Sequence, residues 1–551
     1  MFVPLCSRPE RWLFTALIAV MLAPVVAQAL DRPLASLLGT APGGAAITGL
    51  AIAAALCSWL VGAAKERIGL AVAIAVALLV ALGLGLALGL ATPSVLALGA
   101  TALAATALVR WLPPRLPPTL DGLFKGHRVL AVVYVLVALM SSVQVARVSV
   151  FMADPTRTDA QLVPGVEFLE HHSCLTAYVR ASELARERVD NLYLAERWPS
   201  TLQDSVRPET PFSPFDVDAF FYPPPFLLLA ELLAPLRGDF LAQRTAWFGL
   251  NSLLLALGLW IGARAFGGSR WHRPLLLAPL FFASMTVLTI LQVGQAQAAV
   301  VIATVLGMLA FEVRRPALGG FALALATASK VSPGIFGVVL LVQRRWRALA
   351  WSAVFGVLLL LAAWIAYGSD PLIAWVTYAL PRLGSGEAFS EMLHHPESVA
   401  LNLSPAGTPF KLALLGVELE DPWPIARLLN NLFSLLVITL AIVSARRHRP
   451  ELGGSLTVRA LGWMALLFLT ALRSPFAPGY VVFAMLWALT LMSVEVETRR
   501  GAAGLISIFI AASILPPLSL AGQVLFIGSV ELVMLGLAFW LILRRPKAAG
   551  G

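Results

Sequence analysis

The chain alternates between long apolar runs and short polar joints. Five runs come first, at about 11–30, 46–64, 69–91, 95–111 and 129–148. Eleven more follow, near 222–236, 245–265, 274–291, 297–313, 317–343, 348–367, 428–445, 458–472, 476–494, 503–518 and 520–543. Most approach the roughly twenty residues that a helix needs to cross about 30 Å of hydrocarbon. The pattern predicts an all-α polytopic membrane protein with about 16 membrane helices.

Two polar stretches interrupt the series, 149–221 and 368–427. The first holds twelve of the thirty acidic residues, from Asp154 to Asp218, against six arginines and no lysine. A segment so poor in basic retention signals fits the outer face. Within it, 175–189 has helical spacing, with Leu175, Tyr178, Val179, Ser182 and Ala185 on one face. That face predicts a helix lying flat on the membrane surface. One region resists counting. Simple alternation puts Gln295 inside and Arg314 and Arg315 outside, against the charge rule. If 222–236 only dips into the membrane and 317–343 splits at Lys330, then Gln295 and Lys330 both face out. Both readings stay open.

Composition agrees with the pattern: 551 residues are 59% hydrophobic and 13% charged. The net charge of +10 suggests a nucleic-acid binder only until its distribution is seen. The basic residues sit between apolar runs, in KER (65–67), QRRWR (343–347), RRHR (446–449), ETRR (497–500) and RRPK (544–547). This is the positive-inside pattern of cytoplasmic loops, and no nucleic-acid partner is expected. Cys6, Cys57 and Cys174 show no metal-like spacing and no obvious pairing. Arg8, Arg11, an apolar run and VAQA (26–29) resemble a cleavable signal peptide. A first membrane helix that stays is the favoured alternative, because many spans follow.

Chemistry concentrates at a few places. In FFYPPPFLLLAELLAPL (220–236), Tyr222 precedes three prolines. Proline suits the first turn of a helix and keeps the preceding residues extended. On residue type alone this is a well-marked helix start with a tyrosine anchor at the interface. Lys330 lies inside an apolar run, where charge is expensive and usually functional. Its plainer reading is snorkelling to the nearest interface.

The ordered set LYLAERW (192–198), YPPPFLLLAELLAPL (222–236), RTAWFGLNSLL (244–254), LTILQVGQAQA (288–298), ASKVSPGIFGVVLLVQRRWRAL (328–349), ALNLSPAGTPFKL (400–412) and LRSPFAPGYVVF (472–483) resembles the GT-C type membrane glycosyltransferases of glycosyltransferase family 87. The resemblance covers about 129–494. It implies a GT-C-like catalytic module over 129–494, with outer loops 149–221 and 368–427 carrying surface helices. Residues 1–128 are then extra N-terminal membrane helices, and 495–551 are C-terminal ones. It also implies a polyprenyl-phosphate sugar donor, with mannose the first guess. The acceptor is a lipid, glycan or protein, surrounded by membrane lipids on the outer face of a bacterial cytoplasmic (inner) membrane. Inversion at the sugar carbon follows from the family.

Such a reaction leaves one negative charge on the departing lipid phosphate. Cations or hydrogen-bond donors suffice to cover it, so no metal and no cofactor are expected. Lys330 and Arg473 are the phosphate candidates. The resemblance places Tyr222 at the rim of the lipid-sugar cavity. Gln295, Asn402, His394 and His395 are further substrate-binding candidates. The acceptor hydroxyl needs a base. Family members typically carry Asp at the start of the surface helix, and the matching stretch HHSCLTAYV (171–179) has Cys174 there. The base is then His171 or His172, or an upstream carboxylate such as Asp154 or Asp159, with Glu167 and Glu170 behind them. The plain reading of each is a solvated loop charge. Two rivals remain: a transporter or flippase, for which no internal repeat is visible, and a non-catalytic homologue acting as an assembly partner, for which the missing Asp leaves room.

Overall fold

The structure is a computed structural model and describes residues 9–64, 70–117, 120, 128–198, 210–417, 419–452 and 454–544. The KER cluster, most of RRPK, Cys6 and Arg8 lie outside the described residues. Every regular element among the described residues is helical.

Among the described residues, seven helices are long and apolar enough to cross a membrane: Glu10–Leu38, Thr92–Arg115, Val129–Ala153, Phe240–Phe266, Trp346–Tyr367, Trp423–Arg447 and Leu520–Leu543. A bent pair, Gly268–Ala283 with Met285–Val293, makes an eighth if counted as one span; its halves meet at 62°. The expected number of about 16 spanning helices is not reproduced. Several apolar runs form helices of only 10–17 residues, including Pro224–Leu236, Gln297–Glu312, Pro316–Ser329, Ser332–Val342, Leu456–Ala471 and Gly479–Met492. Their hydrophobicity serves a protein core as well as lipid. Every residue from Ala460 to Thr470 is buried, whereas the middle of Trp346–Tyr367 is largely exposed. An apolar run reads the same in either setting.

Local chemistry explains the breaks. Asp239 caps the helix Phe240–Phe266, its Oδ1 accepting from Ala242 N at 2.9 Å. Ser284 opens Met285–Val293 in the same way, accepting from Val287 N. Run 317–343 does split at Lys330: one helix ends at Ser329, Lys330 is extended (φ −145°, ψ 136°), and Pro333 sits in the 3₁₀ turn before Ile335–Val342. The tri-proline stretch starts a 3₁₀ turn at Pro224, and the apolar helix it opens is too short to cross by length.

The helix expected to lie flat on the membrane exists as Cys174–Arg186, but its environment differs. Leu175, Tyr178, Val179, Ser182 and Ala185 are buried, and so are Thr176, Ala177, Ala181 and Leu184. The helix is inserted into protein on most sides. One cause is ring packing around Tyr178, whose neighbours Tyr222, Phe226 and Trp247 lie at centroid distances of 5.1, 4.7 and 5.9 Å. Another is Glu231, which accepts from Ser182 at 2.5 Å and from Tyr367 at 3.1 Å and pairs with Arg186.

Candidate active site

The site is built on one turn, Gly294 to Gln297, between the helices Met285–Val293 and Gln297–Glu312. Gly294 has φ +71°, a left-handed conformation that favours glycine. A Cβ there would come within 3.3 Å of the Trp247 ring. The same indole donates from Nε1 to Gly294 O at 2.8 Å, which pins the turn to the neighbouring helix.

Gln295, almost wholly buried, occupies the middle. Its Oε1 accepts from the Tyr222 hydroxyl at 2.9 Å and the Tyr178 hydroxyl at 3.2 Å; the two hydroxyls are 3.0 Å apart. Its Nε2 donates to Cys174 Sγ at 3.5 Å. Tyr222 is thus not an anchor at a water interface: it is buried, stacked on Phe226 at 4.6 Å, and its backbone oxygen accepts from Tyr193 at 2.9 Å.

Gln297 takes the cation. Its Oε1 accepts from Lys330 Nζ at 2.9 Å. The ammonium also lies 5.0 Å from the Tyr480 ring centroid and 5.7 Å from that of Tyr222, within cation–π range. The helix break at Ser329 is what lets this lysine leave the helical path and turn inward.

On the far side of Gln295 stands a second group. His172 Nε2 is 3.5 Å from Cys174 Sγ, and His172 Nδ1 is 3.1 Å from Asp218 Oδ1. Phe168 stacks on the imidazole at 4.4 Å. Backbone and hydroxyl bonds clamp the two contributing segments: Asp216 N donates to His171 O at 2.9 Å, Thr176 Oγ1 donates to Asp216 O at 3.0 Å, and Asp218 N donates to Thr176 Oγ1 at 3.0 Å. Burial opposes charge on His172, but the Asp218 carboxylate and the Cys174 sulfur outweigh it and raise the imidazole well above its ordinary range. One ligand atom from each of His172, Cys174 and Asp218 lies within 4.8 Å of the others. Gln295 joins the two groups: it donates to Cys174 and accepts from Tyr222, over whose ring the Lys330 ammonium lies.

The structure brings together Tyr222, Gln295, Lys330 and His172. Other candidates lie in different settings. His171 Nδ1 is 2.9 Å from Pro214 O. Asp154 accepts from Thr156 N and Oγ1, closing a local turn. Asp159 is exposed and paired with Arg157 at 3.0 Å. Arg473 donates to Ser434 Oγ at 3.0 Å. His394 is exposed, with Nδ1 against Ser390 O, and His395 precedes the helix Pro396–Leu401. Asn402 is fully buried: its Nδ2 donates to Pro475 O at 3.0 Å, and its Oδ1 accepts from Ser404 N at 3.0 Å and Ala477 N at 2.9 Å. It ties two turns together.

Cys174, Asp218, Tyr178, Gln297 and Tyr480 were not read from sequence as site residues. Tyr178 had a local signal, since it follows Cys174 by four residues on one helix face. Asp218 had none, because only the fold returns it to His172.

This arrangement sets a cation and phenol hydroxyls at one end and a carboxylate–imidazole–thiol group at the other. It suits an anionic leaving group beside a hydroxyl that must lose a proton. Residues 220–475 match the family model described as Glycosyltransferase family 87, which indicates a membrane glycosyltransferase. The matched segment contains Tyr222, Gln295, Gln297 and Lys330. No curated protein and no solved structure gives a significant match.

Proposed function

We propose that this chain, a family 87 glycosyltransferase over residues 220–475, moves a sugar from a polyprenyl phosphate to an acceptor hydroxyl on the outer face of the bacterial cytoplasmic membrane. Mannose is the first candidate. The observation that carries the reading is Lys330: a half-buried ammonium, 2.9 Å from Gln297, on the turn whose other glutamine reaches Cys174.

Lys330 pairs with the donor's phosphodiester and covers the charge left when the sugar departs. The bond from the anomeric carbon to the phosphate oxygen breaks, and the phosphate keeps the electron pair. The acceptor oxygen attacks from the opposite face, and its proton passes to the Asp218 carboxylate, which the His172 imidazole holds in place. Tyr222, with Gln295 behind it, sits between the two ends and orients the sugar. The lipid tail stays in the bilayer, which is why the machinery is set among membrane helices.

The test uses the full chain in nanodiscs with labelled polyprenyl-phosphate mannose and, separately, a labelled nucleotide sugar, in the presence of a membrane lipid and glycan extract. Label moving to an acceptor from the lipid donor alone supports the reading. Transfer from the nucleotide sugar alone overturns it.

A further inference from the structure

We propose that His172, Cys174 and Asp218 bind one divalent cation of the zinc class. Three observations carry this. First, the donor set is nitrogen, sulfur and oxygen, one from each residue, and all three atoms lie within 4.8 Å of one another. Thiolate and imidazole together select zinc-class ions over magnesium or calcium, which take oxygen ligands. Second, the separations approach those of a tetrahedral site. Zinc bond lengths imply about 3.6 Å between sulfur and nitrogen and about 3.4 Å between nitrogen and oxygen. The contacts here are 3.5 Å from Nε2 to the sulfur and 3.1 Å from Nδ1 to the carboxylate, which sets both other ligands close to the His172 ring. They use different imidazole nitrogens, whereas an ion takes one. A turn of the ring and a shift of about 1 Å in the widest pair complete the set. Third, the supports are already built. Asp216 N to His171 O and the two bonds of Thr176 Oγ1 hold the segments in register, and Gln295 Nε2 donates to the sulfur. Such outer contacts are what orient metal ligands.

Three protein ligands leave a fourth position for water or substrate, as in catalytic rather than structural zinc sites. His172 and Asp218 keep 21% and 22% of their side chains accessible, so that position is reachable. Binding does not depend on the proposed function. Its consequence does rest on that reading: an ion here would draw the acceptor hydroxyl onto itself and ease loss of its proton.

The experiment is equilibrium binding of Co²⁺ and Zn²⁺ to the full chain in nanodiscs, after stripping with chelator. One ion per chain is expected, with a sulfur-to-cobalt charge-transfer band in the cobalt form. Cys174→Ser should abolish the band while Cys6 and Cys57 remain. His172→Ala and Asp218→Asn should each weaken zinc by at least about 10²-fold. Zinc should also shield Cys174 from iodoacetamide in the parent chain. Parent protein that takes up no stoichiometric ion overturns the proposal. So does an unchanged band in Cys174→Ser. Alkylation of Cys174 that needs His172 but ignores zinc overturns it too, in favour of a thiol activated by His172 and Asp218 without metal. Metal uptake is read without transfer activity, so failure of the sugar-transfer assay leaves this result standing on its own.

Discussion

Gln295 and Gln297 stand two residues apart on one turn and serve opposite ends of the site. Gln297 accepts from Lys330 at 2.9 Å, and Gln295 donates to Cys174 at 3.5 Å. A helix would send both in different directions around its axis. The left-handed Gly294 just before them is what gives the turn its shape. The two ends of the site are therefore coupled through three residues of backbone.

Lys330→Met should lose donor affinity while the protein stays folded. Methionine is near lysine in length and suits apolar surroundings. The charge and its bond to Gln297 are removed together, at a cost of about 1–3 kcal/mol for the buried amide oxygen left behind. Lys330→Arg should recover only part of the binding, because a planar fork does not replace a point charge in a shaped pocket. Donor affinity and melting temperature are measured on the same preparations. A well-folded Met variant with parental affinity would reduce Lys330 to a structural or interfacial cation.

Gly294→Ala should destabilise the chain by about 1–2 kcal/mol from the left-handed backbone alone. The added methyl would also press on Trp247 at 3.3 Å. Transfer should fall further than stability, because both glutamines move with the turn. The comparison is thermal unfolding against turnover, with Gly337→Ala as control, where a Cβ meets nothing within 4 Å.

Asn402→Ala should act on folding and not on donor recognition. Removing the amide orphans Pro475 O, Ser404 N and Ala477 N, each left unsatisfied at on the order of 1–3 kcal/mol. Melting should drop by several degrees, and donor affinity of the folded fraction should be unchanged. A selective loss of donor affinity with normal melting would return Asn402 to the substrate-binding set.

How far the sequence reaches can be judged residue by residue. The first helices follow the apolar runs closely: 129–148 becomes Arg128–Ala153, and 95–111 becomes Thr92–Trp111. The break at Lys330 was one of two readings the sequence left open, and the structure takes it, with the charge and Pro333 interrupting the run. The number of spans was not, because Leu456–Ala471 is as apolar as a lipid-facing helix yet buried in protein. Within the site, Lys330 stood out as a charge in an apolar run, while Tyr222 and Gln295 entered through the family resemblance. Cys174, at the position where family members carry Asp, was passed over for the histidines and the upstream carboxylates. Its meaning depends on Asp218, forty-four residues later (218 against 174), which the chain brings to the other nitrogen of His172. Long-range closure of that kind leaves no periodicity to read.

Gln295→Leu should remove the acceptor that both phenols share. Tyr178 and Tyr222 would keep each other at 3.0 Å, and Tyr178 would keep the bond it accepts from Ala296 N at 3.3 Å, in a buried setting. A loss of about 1–3 kcal/mol is expected from an unsatisfied buried hydroxyl. Tyr178→Phe should be milder than Gln295→Leu, since it removes one donor and leaves the Tyr222 bond to Gln295 intact. Chemical denaturation in detergent orders the two; equal losses would mean that the phenols find other partners.

The acidic loop contains two kinds of carboxylate, and substitution should separate them. Asp159 is 69% exposed in its side chain and already paired with Arg157. Asp154 closes a turn through Thr156. Neither touches the glutamine turn in any of its bonds, so Asp159→Asn and Asp154→Asn should keep transfer within a few-fold of the parent. His172→Ala and Asp218→Asn should each lose at least about 10²-fold, the lower end of what proton transfer contributes. The four variants are compared at saturating donor, so that a weakened acceptor side is not masked by donor binding. Asp218→Asn is the most informative. It keeps the shape and one hydrogen bond to His172, and removes only the charge that the imidazole faces. If it transfers sugar at the parental rate while Asp159→Asn is dead, the base lies on the exposed loop, and the His172–Cys174–Asp218 group has no part in the reaction.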